Sequence, residues 1–217
     1  MKNIIRKELT LSTHALQHFF LLFTLLALIP NYLTLMSAFF VCFGIFHSYQ
    51  LSRESDDMLY SALLPIRKKD VVKAKYLMAC LTQCAAFVLS VGTVAIRIKA
   101  IGNNPIYFFS PLVTANLYYL AMFLLICGLF NRVFIPGFFR TTVKIGRPFI
   151  YFVIASVIVI GLAEAAHHLP GLKWLNGIAG SDLLRQFPVL LCSIALYALL
   201  TLWGEKISVR RFDKLDI

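Results

Sequence analysis

Six apolar stretches, at about 13–30, 32–49, 76–96, 112–130, 149–166 and 187–204, take up most of the chain, and only the fifth contains a formally charged residue, Glu164. Each approaches the roughly 20 helical residues that cross a hydrocarbon core about 30 Å thick. Backbone groups in such a core find no water, so the pattern predicts six transmembrane helices. The first is interrupted by Gln17 and His18, and the last is short. Pro30-Asn31 reads as a tight turn between the first two spans. The first run lacks a small-residue cleavage site before the next helix and is expected to be retained, not removed as a leader.

The polar segments differ in character. Gln50 to Lys75 is long and dense in charge. Within it, Ser55 is placed to cap a short helix over 55–64, with Asp56 and Asp57 in its first turn and Pro65 ending it. At helical spacing Met58, Leu59, Ala62 and Leu63 share one face, and Asp57 and Ser61 lie opposite. The expectation is an amphipathic helix at the membrane surface. Asp70 is expected to cap the third span, with Lys73 and Lys75 reaching out to the interface. Asn131 to Arg147, with Pro136-Gly137 and four bases, reads as an irregular connection against lipid headgroups. The segment 167–186 is half apolar and breaks at Pro170-Gly171 and at Gly177–Gly180, as expected of short helices dipping into the outer leaflet.

Composition agrees with a bilayer protein of one domain over 1–217. Hydrophobic residues make up 59% and charged ones 14% of the chain, at a mean hydropathy of +0.78. With both termini inside, 17 of the 21 Lys and Arg fall in inner segments, leaving Arg97, Lys99, Lys173 and Arg185 outside. That bias orients the chain with cytoplasmic ends and an even number of spans. The net charge of +11 is spread over loops that face anionic lipid, which argues against nucleic acid as a partner. The five cysteines fall within spans without a CxxC pair, as expected of core thiols.

Candidate chemistry is sparse. Glu164, near the outer end of its span, is an intramembrane carboxylate and hence a candidate for a gate, for proton contact, or for pairing with Lys173 or Arg185. His167 and His168 follow it, but neighbouring positions on a helix face apart, so a metal site is not expected. His14 and His18 have HExxH spacing without its Glu, and GxSxG is absent. There is no GxxxxGK[ST], so no ATP or Mg site is expected in this chain. Energy from ATP would have to enter through a partner.

Three features together resemble the permease subunit of a type-2 ATP-binding-cassette exporter. They are Arg6-Lys7-Glu8-Leu9 ahead of the first span, the two-span hairpin after it, and the stretch from Glu54 through Leu64-Pro65-Ile66-Arg67 to Lys73-Ala74-Lys75-Tyr76. The resemblance implies an interfacial connecting helix near 2–12, a coupling helix near 55–64 and an outer re-entrant hairpin between spans five and six. It further implies a permease dimer in a bacterial plasma membrane, driven by separate ATPase subunits that bind the ATP and Mg, and exporting antimicrobial or amphipathic peptides or drugs. On that reading Glu54, Asp56, Asp57, Met58, Leu59 and Leu63 engage the ATPase, the two aspartates at a solvated rim, and Glu164, His167 and His168 serve the outer gate. Lipid or polysaccharide export is the nearest alternative, followed by a non-transporting scaffold or an intramembrane enzyme.

Overall fold

The computed structural model describes residue 7 and residues 15–29, 32–63, 66–101 and 114–215, and every element among them is helical. Helix α1 (Ala15–Leu21) runs into a 3-10 segment, Leu22–Leu28, and α2 (Met36–Glu54) packs beside both. The short α3 (Asp57–Leu63) precedes α4 (Lys68–Ile96), which a π-helical turn, Arg97–Ile101, prolongs. Helix α5 (Leu117–Leu129) passes through a second π-helical turn, Phe130–Phe134, into α6 (Ile135–Phe138). Helix α7 (Gly146–His168) and a 3-10 turn, Lys173–Asn176, lead to α8 (Gly180–Asp213).

Among the described residues four stretches are long and apolar enough to cross a membrane: Lys68–Lys99, Leu117–Phe138, Gly146–Ala166 and Gly180–Asp213. The first two expected spans do not reach that standard. Leu16–Leu28 is shorter, and α2 lies several residues further along than 32–49, so that it takes in the polar Gln50, Arg53 and Glu54. Three more boundaries move. Helix α4 starts at Lys68, which puts Asp70 in its first turn instead of at its cap. The fourth span does not stop at 130 but continues to Phe138, so the expected irregular loop shrinks to a few residues. The last helix starts at Gly180, ahead of the expected 187.

Helix α5 is apolar all round, the signature of a helix surrounded by others. Of its most apolar window 67% is buried, against 17% for α7 and for α8, so α5 is the centre and the other two are the periphery. Ile154, Val157 and Ile158 on α7 and Leu184, Phe187, Leu199 and Trp203 on α8 stay exposed. A soluble monomer does not leave apolar faces of that extent in water. Such faces suit lipid or another membrane helix, and the chain is a membrane protein.

Between helices in lipid no hydrophobic force remains, and packing and polar contacts must hold them. Aromatic rings supply much of the packing: Phe46 lies 4.1 Å from Phe149 between ring centres, Phe130 4.7 Å from Phe134, and Tyr49 4.9 Å from Phe138. Polar ties supply the rest. Gln17 is buried, its amide donating to Thr82 and accepting from Ser48, which explains a glutamine inside an apolar run. Gln83 and Asn131 exchange two amide hydrogen bonds of 2.9 Å each, and Asn131 also donates to Thr201 at 2.9 Å. The Asn131 carbonyl, in the π-helical turn, accepts from Tyr76 at 2.9 Å. This approach needs glycine opposite: a Cβ on Gly204 would stand 2.4 Å from that carbonyl oxygen. Of the cysteines, Cys42 and Cys127 are core thiols as expected, whereas Cys84 and Cys192 are exposed on α4 and α8.

Candidate functional site

Helix α3 turns two of its expected contact residues, Asp57 and Met58, inward. Asp57, Met58 and Ser61 are buried, at 8%, 4% and 2% exposure, whereas Leu59, Tyr60 and Leu63 are exposed, at 47%, 57% and 77%. The polar face turns inward and most of the apolar face turns out. The cause is the environment of Asp57. Its carboxylate is paired with Lys7 and lies 3.0 Å from Lys75 Nζ, and it accepts a hydrogen bond of 2.8 Å from Ser52. Lys7 also donates to Ser61 at 2.7 Å and sits 5.6 Å from the Tyr60 ring centre. Lys75, expected to reach out to the interface, is only 1% exposed and lies 5.8 Å from the ring centre of Tyr49.

Burial by itself would raise the Asp57 carboxyl. The Lys75 charge and hydrogen bonds from Lys7, Lys75 and Ser52 outweigh it and bring the group down to about 2. Asp57 therefore does not sit at a solvated rim, as expected from the sequence, but ties α3 to α2, to α4 and to Lys7 at once. Asp56 remains exposed, in the left-handed region at φ 49, and its carbonyl accepts from Tyr60 at 3.0 Å to open α3. Ser55 is not the expected cap, because its hydroxyl donates back to Leu51 at 2.9 Å. Glu54 ends α2 and is exposed beside Arg53. The stop at Pro65, His14 and the connecting helix near 2–12, apart from Lys7, lie outside the described residues.

At the other end, Glu164 Oε1 lies 3.6 Å from His168 Nε2, one turn along α7. Its Oε2 is buried without a hydrogen bond. Lys173 and Arg185 are not its partners: with Asp182 they line an open hollow beside Trp174. His167 belongs to the last turn of α7. The connection from α7 to α8 breaks where expected and holds a single 3-10 turn. Its carbonyls are satisfied by two buried amides. Gln186 donates to Trp174 at 2.8 Å and to Gly177 at 2.9 Å, and Asn116 donates to Leu175 at 2.8 Å. Arg97, expected in an outer loop, is buried in the π-helical turn that ends α4.

A family model described as ABC-2 family transporter protein matches residues 3–210 of this chain. The chain belongs to that family. No curated relative and no solved structure matches it. As an ABC-2 transporter protein it is a transporter membrane subunit and not a catalytic enzyme, and an ATPase is the kind of partner the family implies.

Two arrangements in this ABC-2 chain escaped the sequence reading. The Lys7–Asp57–Lys75 cluster joins residues far apart in the chain, and its one sequence signal is a lysine directly ahead of an apolar span. The Gln83–Asn131 pair had a clearer signal, since an amide inside an apolar helix needs a partner on another helix. The polar and basic residues around Asn131 read as a loop, and a loop amide calls for no such partner.

Proposed function

We propose that the chain is the membrane-spanning subunit of an ATP-driven exporter and that a cytoplasmic ATPase seats on α3. The observation that carries this reading is the exposed apolar surface of α3, Leu59, Tyr60 and Leu63, above an Asp57 locked to Lys75 of α4. An exposed apolar cluster on a surface helix suits a groove on a soluble protein. The buried ion cluster under it makes α3 a stiff lever, so a displacement of α3 passes to α4 instead of being lost in side-chain motion. Glu54 and Asp56, both exposed, stand at the edge of this surface and offer negative charge to a basic rim.

Leu59→Asp is expected to lower association with the ATPase by at least about 2 kcal/mol, because it buries an unpaired charge in a desolvated contact. Asp56→Asn, exposed, is expected to cost under about 1 kcal/mol. Pull-down of the ATPase by each variant, with ATP hydrolysis measured in parallel, reads both. Full binding and full hydrolysis with Leu59→Asp would remove α3 as the contact.

The arrangement we propose has six spans, with α1 and α2 joining the four longer stretches, both termini cytoplasmic, and the α7–α8 connection dipping into the outer leaflet around Glu164, His167 and His168. Two such chains form the path. The resemblance to small exporters of the type-2 family supports antimicrobial or amphipathic peptides or drugs as cargo. Cysteines placed at Asn3 and at Ile217 are expected to react with a membrane-impermeant thiol reagent only after cells are opened. Labelling of either in intact cells would contradict this topology.

A further inference from the structure

A cavity of about 490 Å³ opens where α6, the start of α7 and the end of α8 meet. Five bases line it, Arg132, Arg140, Lys144, Arg147 and Arg211, and no carboxylate does. Arg140 and Arg132 are close enough to Arg211 for their charges to repel it. Five like charges around one hollow repel each other, and an anion held among them would relieve the repulsion.

Several constraints hold the bases there. Arg211 donates to the Pro136 carbonyl at 2.6 Å. Arg132 stacks on Trp203 with its guanidinium carbon 4.2 Å from the ring centre, and its Nε is buried without a hydrogen bond. Gly137 lets α6 abut α7, because a Cβ there would stand 2.4 Å from Pro148. The N-terminus of the 23-residue α7 opens at Gly146, next to the cavity, and adds the amides of Gly146 and Arg147 and its positive dipole end.

The surroundings identify the source of the anion. Tyr151 lines the cavity, and Ile154 and Ile158 continue its face along α7, all three exposed. Trp203 is exposed on the other side, beneath Arg132. A phosphate at the bases would thus have an apolar track for acyl chains beginning at its edge, flanked by two interfacial aromatic rings. We propose that this cavity is a binding site for the phosphate headgroup of an anionic phospholipid. Basic pockets between membrane helices suit such headgroups, and each base contributes on the order of a fivefold gain in binding. The site is independent of the ATPase contact proposed on α3.

The test uses the full chain in lipid nanodiscs. The sequence has two tryptophans, so Trp174→Phe leaves Trp203, beside the cavity, as the reporter. Brominated phosphatidylglycerol is expected to quench Trp203 at roughly fivefold or more lower mole fraction than brominated phosphatidylcholine. Arg140→Gln with Arg147→Gln, two side chains that do not stack on Trp203, is expected to reduce the preference by roughly fivefold or more, and the corresponding lysine variants to keep most of it. Near-ultraviolet circular dichroism identical to the parent shows that the variants are folded. Equal quenching by both lipids in the parent, or an undiminished preference in the folded glutamine variant, would overturn the proposal. Loss of the preference on adding millimolar inorganic phosphate at constant ionic strength would assign the site to a soluble anion and overturn the lipid assignment. Parity of the lipids together with a co-purifying protein lost in the glutamine variant would make the cavity a protein contact, with the same result.

Discussion

Asp57→Ala is expected to destabilise the folded chain by about 3–5 kcal/mol, the cost of leaving a buried charge without its partner. Lys75 is the charge left behind, 1% exposed and 3.0 Å from the carboxylate it would lose. Lys7 and Ser52 lose an acceptor in the same change. Asp57→Leu combined with Lys75→Met removes both charges and is expected to cost much less than the sum of the single changes, since a hydrophobic pair of similar volume replaces a buried ion pair at little net cost. Thermal unfolding of the parent, Asp57→Leu, Lys75→Met and the double variant in one detergent gives the cycle. A single-variant loss under about 1 kcal/mol would show that water reaches the pair. The same cluster sets an acid limit. The Asp57 carboxyl is held at about 2, below its ordinary 3.8, so its stabilisation of about 2 kcal/mol is complete above about pH 4 and disappears as pH falls through 2. Asp57→Asn should lack this part of the acid transition.

Asn131→Leu is the second large effect. It removes the reciprocal amide pair with Gln83 and the donation to Thr201, three hydrogen bonds between helices. Such bonds in membrane proteins average about 0.6 kcal/mol each, so the expected loss is about 2 kcal/mol. Gln83 keeps Tyr197, which donates to it at 2.8 Å, but loses the Asn131 side chain in a setting without water. Adding Gln83→Leu to Asn131→Leu is expected to restore part of the stability, because two apolar groups leave less unsatisfied than one widowed amide. If the double variant is as unstable as the sum, the network carries no specific coupling and the residues act by packing alone.

Both results concern residues whose importance the sequence only half announced. Apolar run length was enough to find four helices that can cross a bilayer, because a backbone in hydrocarbon has no alternative to internal hydrogen bonding. The break between α7 and α8 was also legible, since Pro170, Gly171 and Gly177 have local conformational effects that do not depend on distant partners. The short α3 was found for the same reason. Its orientation was not. A helical wheel leaves a charged residue on the solvated side, but Asp57 has Lys75, Ser52 and Lys7 to satisfy it, and that turns it inward.

The remaining differences have the same origin. Asn131 looked like the end of a span because an amide in lipid is costly; with Gln83, Thr201 and Tyr76 around it, the helix continues through a π-helical turn to Phe138. Lys75 looked like an interfacial base until its carboxylate was located. For Glu164 the sequence leaves a gate, proton contact and pairing with Lys173 or Arg185 open, and in the fold it meets His168 one turn away on its own helix. By itself the sequence determined that this is an apolar helical membrane chain, with a short surface helix after the second apolar run and bases concentrated on one set of loops. Those properties are sums over local composition. Only the tertiary structure decided which face of α3 is free, which polar groups are paired and where five bases enclose a cavity. Each of these depends on desolvation and charge partners brought together across long sequence separations, which periodicity does not record.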